Sequence, residues 1–216
     1  MKSNLIYLLI FLLPLVSCTK VNTEYWPNGN VKSTVTMKGK KYHGPAVWYY
    51  EDGTPQMECT FSDNLLEGPL KRYYTSGTLK EEVFYKNNKA DSVYKFWNPS
   101  GALLVMCGYK DSLQDGKYTK FYPNGIHMVE GTYVKGMYNG KWFWYDNEGL
   151  VVSIGDFTAG AGSEKVYNGS GKLIQVIRFK DNLKEGAEEF YDSEGRITEI
   201  RYYRKGELTG EKNPKK

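Results

Sequence analysis

Aromatic and apolar residues recur along the chain at fixed distances from a repeating glycine. Successive glycines are 24 residues apart, with a single interval of 22, and an aromatic residue lies four positions before each one. The glycines are Gly29, Gly53, Gly77, Gly101, Gly125, Gly149, Gly171 and Gly195. A fixed period of this length is typical of repeat proteins, in which each unit packs only on its neighbours. The pattern therefore predicts an elongated array with an extended surface.

Each unit has the pattern of two short strands joined by a tight turn. The three residues that end at each glycine are turn formers, as in Pro27-Asn28-Gly29 and Pro123-Asn124-Gly125. Three-residue hairpin loops end in a left-handed residue, which glycine adopts without a Cβ clash. Such a loop places the residue four before the glycine opposite the residue two after it, and this partner is apolar in seven of eight units. The sequence predicts an all-β fold, in which tandem hairpins form one long, twisted antiparallel meander sheet.

Side-chain parity divides the predicted sheet into two faces. The sixth and eighth residues after each glycine share the parity of the aromatic series, so we expect one apolar face from all of them. Cys59 and Cys107 belong to this face, in units two repeats apart. Four strands at about 4.8 Å each would separate them by about 19 Å, whereas a disulfide needs Cα atoms within about 7 Å. We therefore expect both cysteines to be small, buried core residues.

The opposite face is expected to carry the candidate binding residues. Aromatic rings and cations alternate at the position five before the glycine, and one further tryptophan has the same parity. The set is Trp48, Arg72, Phe96, Lys120, Trp142 and Trp144. Aromatic residues and arginine are the usual anchors of protein interfaces. The alternative is that these rings pack into a second structural layer.

Residues 1–17 have the composition of an export signal, with a basic start, an apolar stretch and small residues at the end. The apolar stretch is too short for a bilayer span, which takes roughly 20 residues. Leu15-Val16-Ser17-Cys18 resembles the lipobox of bacterial lipoproteins, in which the cysteine is lipidated after cleavage just before it. Cys18 would then begin the mature chain, with residues 18–23 as a short tether. The alternative is an ordinary signal with an incidental cysteine.

Composition and charge argue against several classes of protein. The net charge of +4 is spread over 216 residues, and the only basic run is the tail, residues 211–216, so we expect no nucleic acid partner. The two histidines, His43 and His127, occupy different phases of the repeat, so we expect no metal site and no cofactor. Residues 158–165 are glycine-rich but lack the glycine–lysine–hydroxyl order of a phosphate loop. With no nucleophile motif either, we expect a protein that is not an enzyme.

The repeat unit resembles the bacterial variant of the MORN repeat. The segments Asp115-Gly116-Lys-Tyr-Thr-Lys-Phe-Tyr-Pro-Asn-Gly125 and Asn139-Gly140-Lys-Trp-Phe-Trp-Tyr-Asp-Asn-Glu-Gly149 carry the resemblance, which extends over about residues 24–210 as eight units. It implies a scaffold without catalytic residues. Proteins of this repeat type include those labelled as YwqK-type antitoxins, which implies neutralising a toxin by binding it, although function in repeat scaffolds lies in the sites carried on them.

These observations predict a lipoprotein of the bacterial cell envelope, anchored through Cys18, that binds a protein or envelope partner. Thr19 after the lipidated cysteine resembles the sorting context of outer-membrane lipoproteins and weakly favours that membrane. Two alternatives remain: an antitoxin or immunity-type protein that binds a toxin, and a polysaccharide-binding module that uses its rings as stacking platforms.

Overall fold

The computed structural model describes residues 18–214, which form 20 β-strands and no helix. The strands are β1 (Thr19–Tyr25), β2 (Val31–Lys38), β3 (Lys41–Tyr49), β4 (Pro55–Ser62), β5 (Leu65–Leu66), β6 (Gly68–Tyr73), β7 (Leu79–Lys86), β8 (Lys89–Ala90), β9 (Ser92–Trp97), β10 (Leu103–Lys110), β11 (Leu113–Phe121), β12 (His127–Val134), β13 (Met137–Tyr145), β14 (Val151–Thr158), β15 (Ala161–Tyr167), β16 (Leu173–Lys180), β17 (Leu183–Lys184), β18 (Gly186–Tyr191), β19 (Ile197–Arg204) and β20 (Glu207–Lys212).

All of these strands belong to one open antiparallel sheet in which each strand pairs with its neighbours in sequence. Three short strands, β5, β8 and β17, continue directly into β6, β9 and β18, so each such pair occupies one position in the sheet. The predicted meander of eight hairpins is confirmed, and β20 adds a single strand after the eighth.

The ends of the array differ from the prediction. Residues 18–23 were expected to form a tether, but Thr19 already begins β1, which pairs with β2 along its whole length. At the other end Glu211 and Lys212 belong to β20 rather than to a free tail. The predicted signal, residues 1–17, lies outside the described residues.

The loops that carry the glycine series have the predicted three-residue form. In the second unit the Gly53 amide donates to the Tyr50 carbonyl at 3.0 Å, and the Tyr50 amide donates to the Thr54 carbonyl at 2.8 Å. Gly53 has φ of +89°, in the left-handed region that a side chain disfavours. The predicted pairing across this loop is present in all eight units, as between Tyr49 and Pro55.

A β-bulge beside each of these loops changes which residues share a face. Tyr49 faces Pro55, but its neighbour Trp48 faces Met57, so Gln56 is left without a partner. One extra residue on the second strand reverses the parity of everything beyond it. The sixth residue after the glycine therefore lies on the face opposite the aromatic series, and the predicted grouping of these two sets was wrong.

At the other ends of the strands, successive hairpins are joined by two-residue turns. In Asp63-Asn64 both residues are left-handed, with φ of 49° and 73°. Such turns match the twist of the flanking strands. A second series of glycines follows these turns, and six of its seven members have positive φ: Gly44, Gly68, Gly116, Gly140, Gly162 and Gly186, but not Gly210. Ser92 occupies the slot without glycine and still has φ of 98°.

The single 22-residue interval has a structural cause. Its turn, Ala159-Gly160, has the usual two residues between Thr158 and Ala161. The pairing of β14 with β15 runs without a register shift, whereas the corresponding pairing of β12 with β13 contains one. The missing bulge, not a shorter loop, accounts for the two absent residues.

Two hydrophobic clusters lie on one face of the sheet. The first is centred on Val35, Ala46, Cys59, Leu70 and Val83, and the second on Cys107, Tyr133, Trp142 and Phe157. Tyr94 packs against both clusters and links them. The predicted burial of Cys59 and Cys107 is confirmed, and both are free thiols. Burial raises the pKa of Cys59 to about 11.

Candidate binding surface

The predicted binding residues form a strip beside the loops, on the same face as the core. Trp48, Phe96 and Trp144 lie in β3, β9 and β13, each four positions from the next in the sheet. All three rings are half-buried, and Trp48 and Trp144 pack against the two core clusters. The prediction that this strip lies opposite the core residues was wrong, because the bulge brings both sets to one face.

Cations alternate with these rings along the strip. Arg72 and Lys120 are exposed, and each lies in the hairpin between two ring-bearing hairpins. Arg72 forms an ion pair with Glu81 on the adjacent strand. Aromatic rings and positive charges therefore alternate at steps of two strands, or about 10 Å.

Trp142 does not belong to the exposed strip. Only 2% of its surface is accessible, and its ring stacks on Tyr118 at 5.7 Å and meets Tyr138 at 4.5 Å. It is a core residue, and its selection as a binding residue was wrong. The parity assignment was correct, since Trp142 shares the face of Trp144. At the middle of the strands, however, neighbouring side chains of the second core cluster bury this face.

Glycines make room for the large rings of this second cluster. A Cβ atom on Gly131 would lie 2.1 Å from the Trp142 ring, and one on Gly155 would lie 2.2 Å from the Phe157 ring. Five other units have valine, cysteine or isoleucine at this position, beside smaller neighbours such as Ala46, and the last unit has Arg201. Large and small residues thus exchange between neighbouring positions, and this signal is present in the sequence itself.

A cleft opens between the second and third hairpins at the edge of the strip. It has a volume of about 330 Å³ and is lined by Trp48, Tyr50, Gln56, Met57, Arg72, Tyr73 and Lys80. The lining combines three aromatic rings with two cations, and Lys80 Nζ lies 5.6 Å from the centre of the Tyr74 ring. This combination suits a partner with both apolar and acidic groups.

The core face becomes acidic toward the end of the array. Glu188 occupies the position held by Trp142 two hairpins earlier and is only 2% exposed. Its carboxylate accepts a hydrogen bond from Gln175 at 2.9 Å and pairs with Lys184. Glu164, in the hairpin between, accepts from Ser153 at 2.8 Å, and burial raises its pKa. The buried carboxylates are therefore satisfied within the sheet, as such groups must be.

The opposite face carries the repeating aromatic series, supported by carboxylates. The Tyr73 hydroxyl donates to Glu58 at 2.9 Å, and Tyr191 donates to Glu189 at 2.8 Å in the last unit. Burial, together with the hydrogen bond to Glu58, raises the pKa of Tyr73 to about 12. These rings are anchored to the scaffold at both ends and are less suited to binding than the strip.

Cys18 and the histidines bear on the remaining site predictions. Cys18 is exposed and lies directly before β1. Within residues 18–214 no group of three or more His, Cys, Asp or Glu side chains is arranged to hold a metal ion. His43 and His127 lie near Asp63 and Glu130 respectively. No helix in this part of the chain is long and apolar enough to cross a membrane.

Eight stacked hairpins with a common loop, bulge and register define a tandem hairpin-repeat protein. The MORN repeat variant matches residues 20–38, 42–63, 66–87 and 114–135, so the chain contains MORN repeats. The matched segments correspond to the first, second, third and fifth hairpins, and the other four share their loop geometry. Among curated proteins, none matches the chain.

Proposed function

We propose that the protein is a membrane-anchored lipoprotein of the bacterial envelope that binds an extended partner and performs no catalysis. The observation that carries this proposal is the strip in which Trp48, Phe96 and Trp144 alternate with Arg72 and Lys120. The strip follows the length of the array rather than surrounding a cavity. A partner with acidic and apolar groups at similar intervals would contact several hairpins at once, and such multivalent contacts add affinity without any deep pocket.

The anchor and the array are directly connected in this proposal. Because β1 begins at Thr19, lipid on Cys18 would hold the first strand at the membrane surface without a tether. Several acyl chains on one residue give stable anchoring, whereas a single chain is marginal. The strip would then extend away from the site of attachment, one hairpin after another.

The anchor is tested by metabolic labelling with a clickable fatty acid. The wild-type chain should incorporate label and fractionate with membranes, and the Cys18→Ala variant should do neither. Cys59→Ala is the matched control, since this cysteine is buried in the sheet. Label that persists in Cys18→Ala would contradict lipidation at this residue.

The binding strip is tested by charge reversal at one exposed position. Lys120→Glu should reduce capture of crosslinked envelope partners about tenfold, because an attractive contact becomes repulsive. Lys117→Glu is the matched control: it makes the same change in the same strand, also at an exposed site, but on the opposite face. Both variants should keep the wild-type melting temperature. Equal capture by the two variants would reject the strip as the binding surface.

A further inference from the structure

The two edges of the sheet are unequal. β1 pairs with β2 on one side, and no strand within residues 18–214 covers its other side. All seven of its residues are exposed, and the register with β2 is regular from Thr19 to Glu24. Four of the seven are β-branched or aromatic, which favours extended pairing. A regular, exposed edge strand of this kind is a template for another strand.

The edge at β20 has features that oppose pairing. Three of its six residues are charged, Gly210 interrupts it, and its register with β19 shifts beside Tyr203. Pro214 lies two residues after the strand and cannot donate a backbone hydrogen bond. Charges, irregularity and proline are the usual protection of sheet edges. The β1 edge carries two charges, Lys20 and Glu24, but it contains no glycine and keeps its register with β2 from Thr19 to Glu24.

Side chains of β1 are exposed where their counterparts are covered. Tyr25 is 63% exposed, whereas Tyr49 and Tyr73, at the same position in the next hairpins, are half-buried. Those two tyrosines have a strand on both sides, and Tyr25 has one on a single side only. Val21 is 56% exposed on the same face of β1. One additional strand beside β1 would cover both residues.

We infer that this strand is the β1 of a second copy of the chain, paired antiparallel about a two-fold axis at Asn22. In that register Lys20 of each copy faces Glu24 of the other, so two ion pairs form by symmetry. On the other face, Val21 faces Thr23 and Thr19 faces Tyr25. Such an isologous contact closes on itself and yields a dimer rather than a fibre.

The charge pattern distinguishes this edge from the other. The same operation about Thr209 in β20 would place Glu207 opposite Glu211, which is repulsive. Glu24 is also free to take part. Its present neighbour is Lys32 at 3.8 Å, and the Glu24 side chain is 69% exposed, so that contact is weak in water. The dimer is independent of the proposed binding strip, which lies beside the loops.

Cysteine crosslinking on the full-length chain tests this contact. In a Cys18→Ala background, Asn22→Cys places the two new thiols directly across the axis, where a short bismaleimide should join them. We expect a covalent dimer. The matched control is Thr209→Cys, an exposed position on the β20 edge, which should give no covalent dimer because its thiols lie away from the β1 contact. No dimer with Asn22→Cys, or equal dimer with Thr209→Cys, would overturn the inference.

Charge reversal then tests the register. Lys20→Glu should lower the yield of Asn22→Cys dimer about tenfold, because two symmetric pairs change from attractive to repulsive. Adding Glu24→Lys in the same chain should restore the yield. Neither residue is buried, so thermal melting should change little in either variant. A yield that Lys20→Glu leaves unchanged, or that the double reversal does not restore, would reject this pairing.

Discussion

At the residue scale, the packing of Trp142 depends on the absence of a side chain beside it. The indole lies against the backbone of Gly131, where a Cβ atom would be only 2.1 Å from the ring. Its edge and faces meet Tyr118, Tyr133 and Tyr138. A single-layer sheet has no second layer to cover its core, so a large ring laid over a glycine performs that role. The smallest and largest residues therefore act as one packing unit.

We predict that Gly131→Val destabilises the protein by about 3 kcal/mol, because no relaxed position exists for the added atoms. The cost should be smaller when Trp142→Ala is added. Valine and alanine already occupy the two equivalent positions in the first two hairpins, as Val35 and Ala46. Urea denaturation of the wild type, both single variants and the double variant measures this coupling. Additive free energies in the cycle would show that the two residues do not pack as a unit.

At the scale of the element, most of the hairpin could be predicted from the sequence. The glycine at the loop and the aromatic four residues before it determine the loop length and the first cross-strand pair, and both predictions are correct. The bulge could not be predicted, because the unpaired position three after the glycine holds residues as different as Lys32, Gln56 and Leu104. Backbone geometry beside a left-handed glycine sets the bulge, whatever the side chain.

That missed bulge explains the errors at the candidate site. Parity counted through the loop placed Trp48 and Cys59 on opposite faces, whereas they share one. The identity of the strip residues was predictable, since period and residue type select them. How deeply each of them is buried could not be predicted. The burial of Trp142 depends on Gly131 in the preceding strand, which the repeat period alone does not reveal.

The two-residue turns that connect successive hairpins form hydrogen bonds with one another. In the second of these, the Asn64 side chain accepts from the Tyr42 amide at 2.8 Å. Farther along, where Gly160 has no side chain to offer, Asn182 reaches past it. The Asn182 side chain accepts from the Tyr138 amide and donates to the Gly136 carbonyl, each at 2.8 Å. The Asn182 backbone amide donates to the Gly160 carbonyl at 3.0 Å, so this one residue joins three successive turns.

Asn182→Gly should cost about 2 kcal/mol, because two hydrogen bonds are lost, each worth about 1 kcal/mol. Asn64→Gly is the matched control, with one such bond lost and an expected cost of about 1 kcal/mol. Glycine preserves the left-handed backbone at both positions, where φ is 62° and 73°. Chemical denaturation of both variants gives the comparison, and equal costs would argue against a special role for Asn182.

At the scale of the whole molecule, stability should vary along the array because each strand is covered only by its neighbours. The second core cluster contains the most deeply buried rings, Trp142 and Phe157, at 2% exposure each. β1 has a neighbour on one side only, and all of its residues are exposed. Local opening at such an edge needs little disruption of packing, whereas opening at the cluster exposes several rings at once.

Amide hydrogen exchange should therefore be slowest in β13 and fastest in β20, with β1 depending on concentration. In dilute solution β1 should exchange as an edge strand, because its outer backbone groups face water. At higher concentration, pairing with a second copy should slow it, and Lys20→Glu should remove that slowing without affecting β13. Exchange read out by mass spectrometry at two concentrations separates the effects. Uniform protection across the strands would contradict stability set by neighbours, and a β1 rate independent of concentration would contradict the dimer alone.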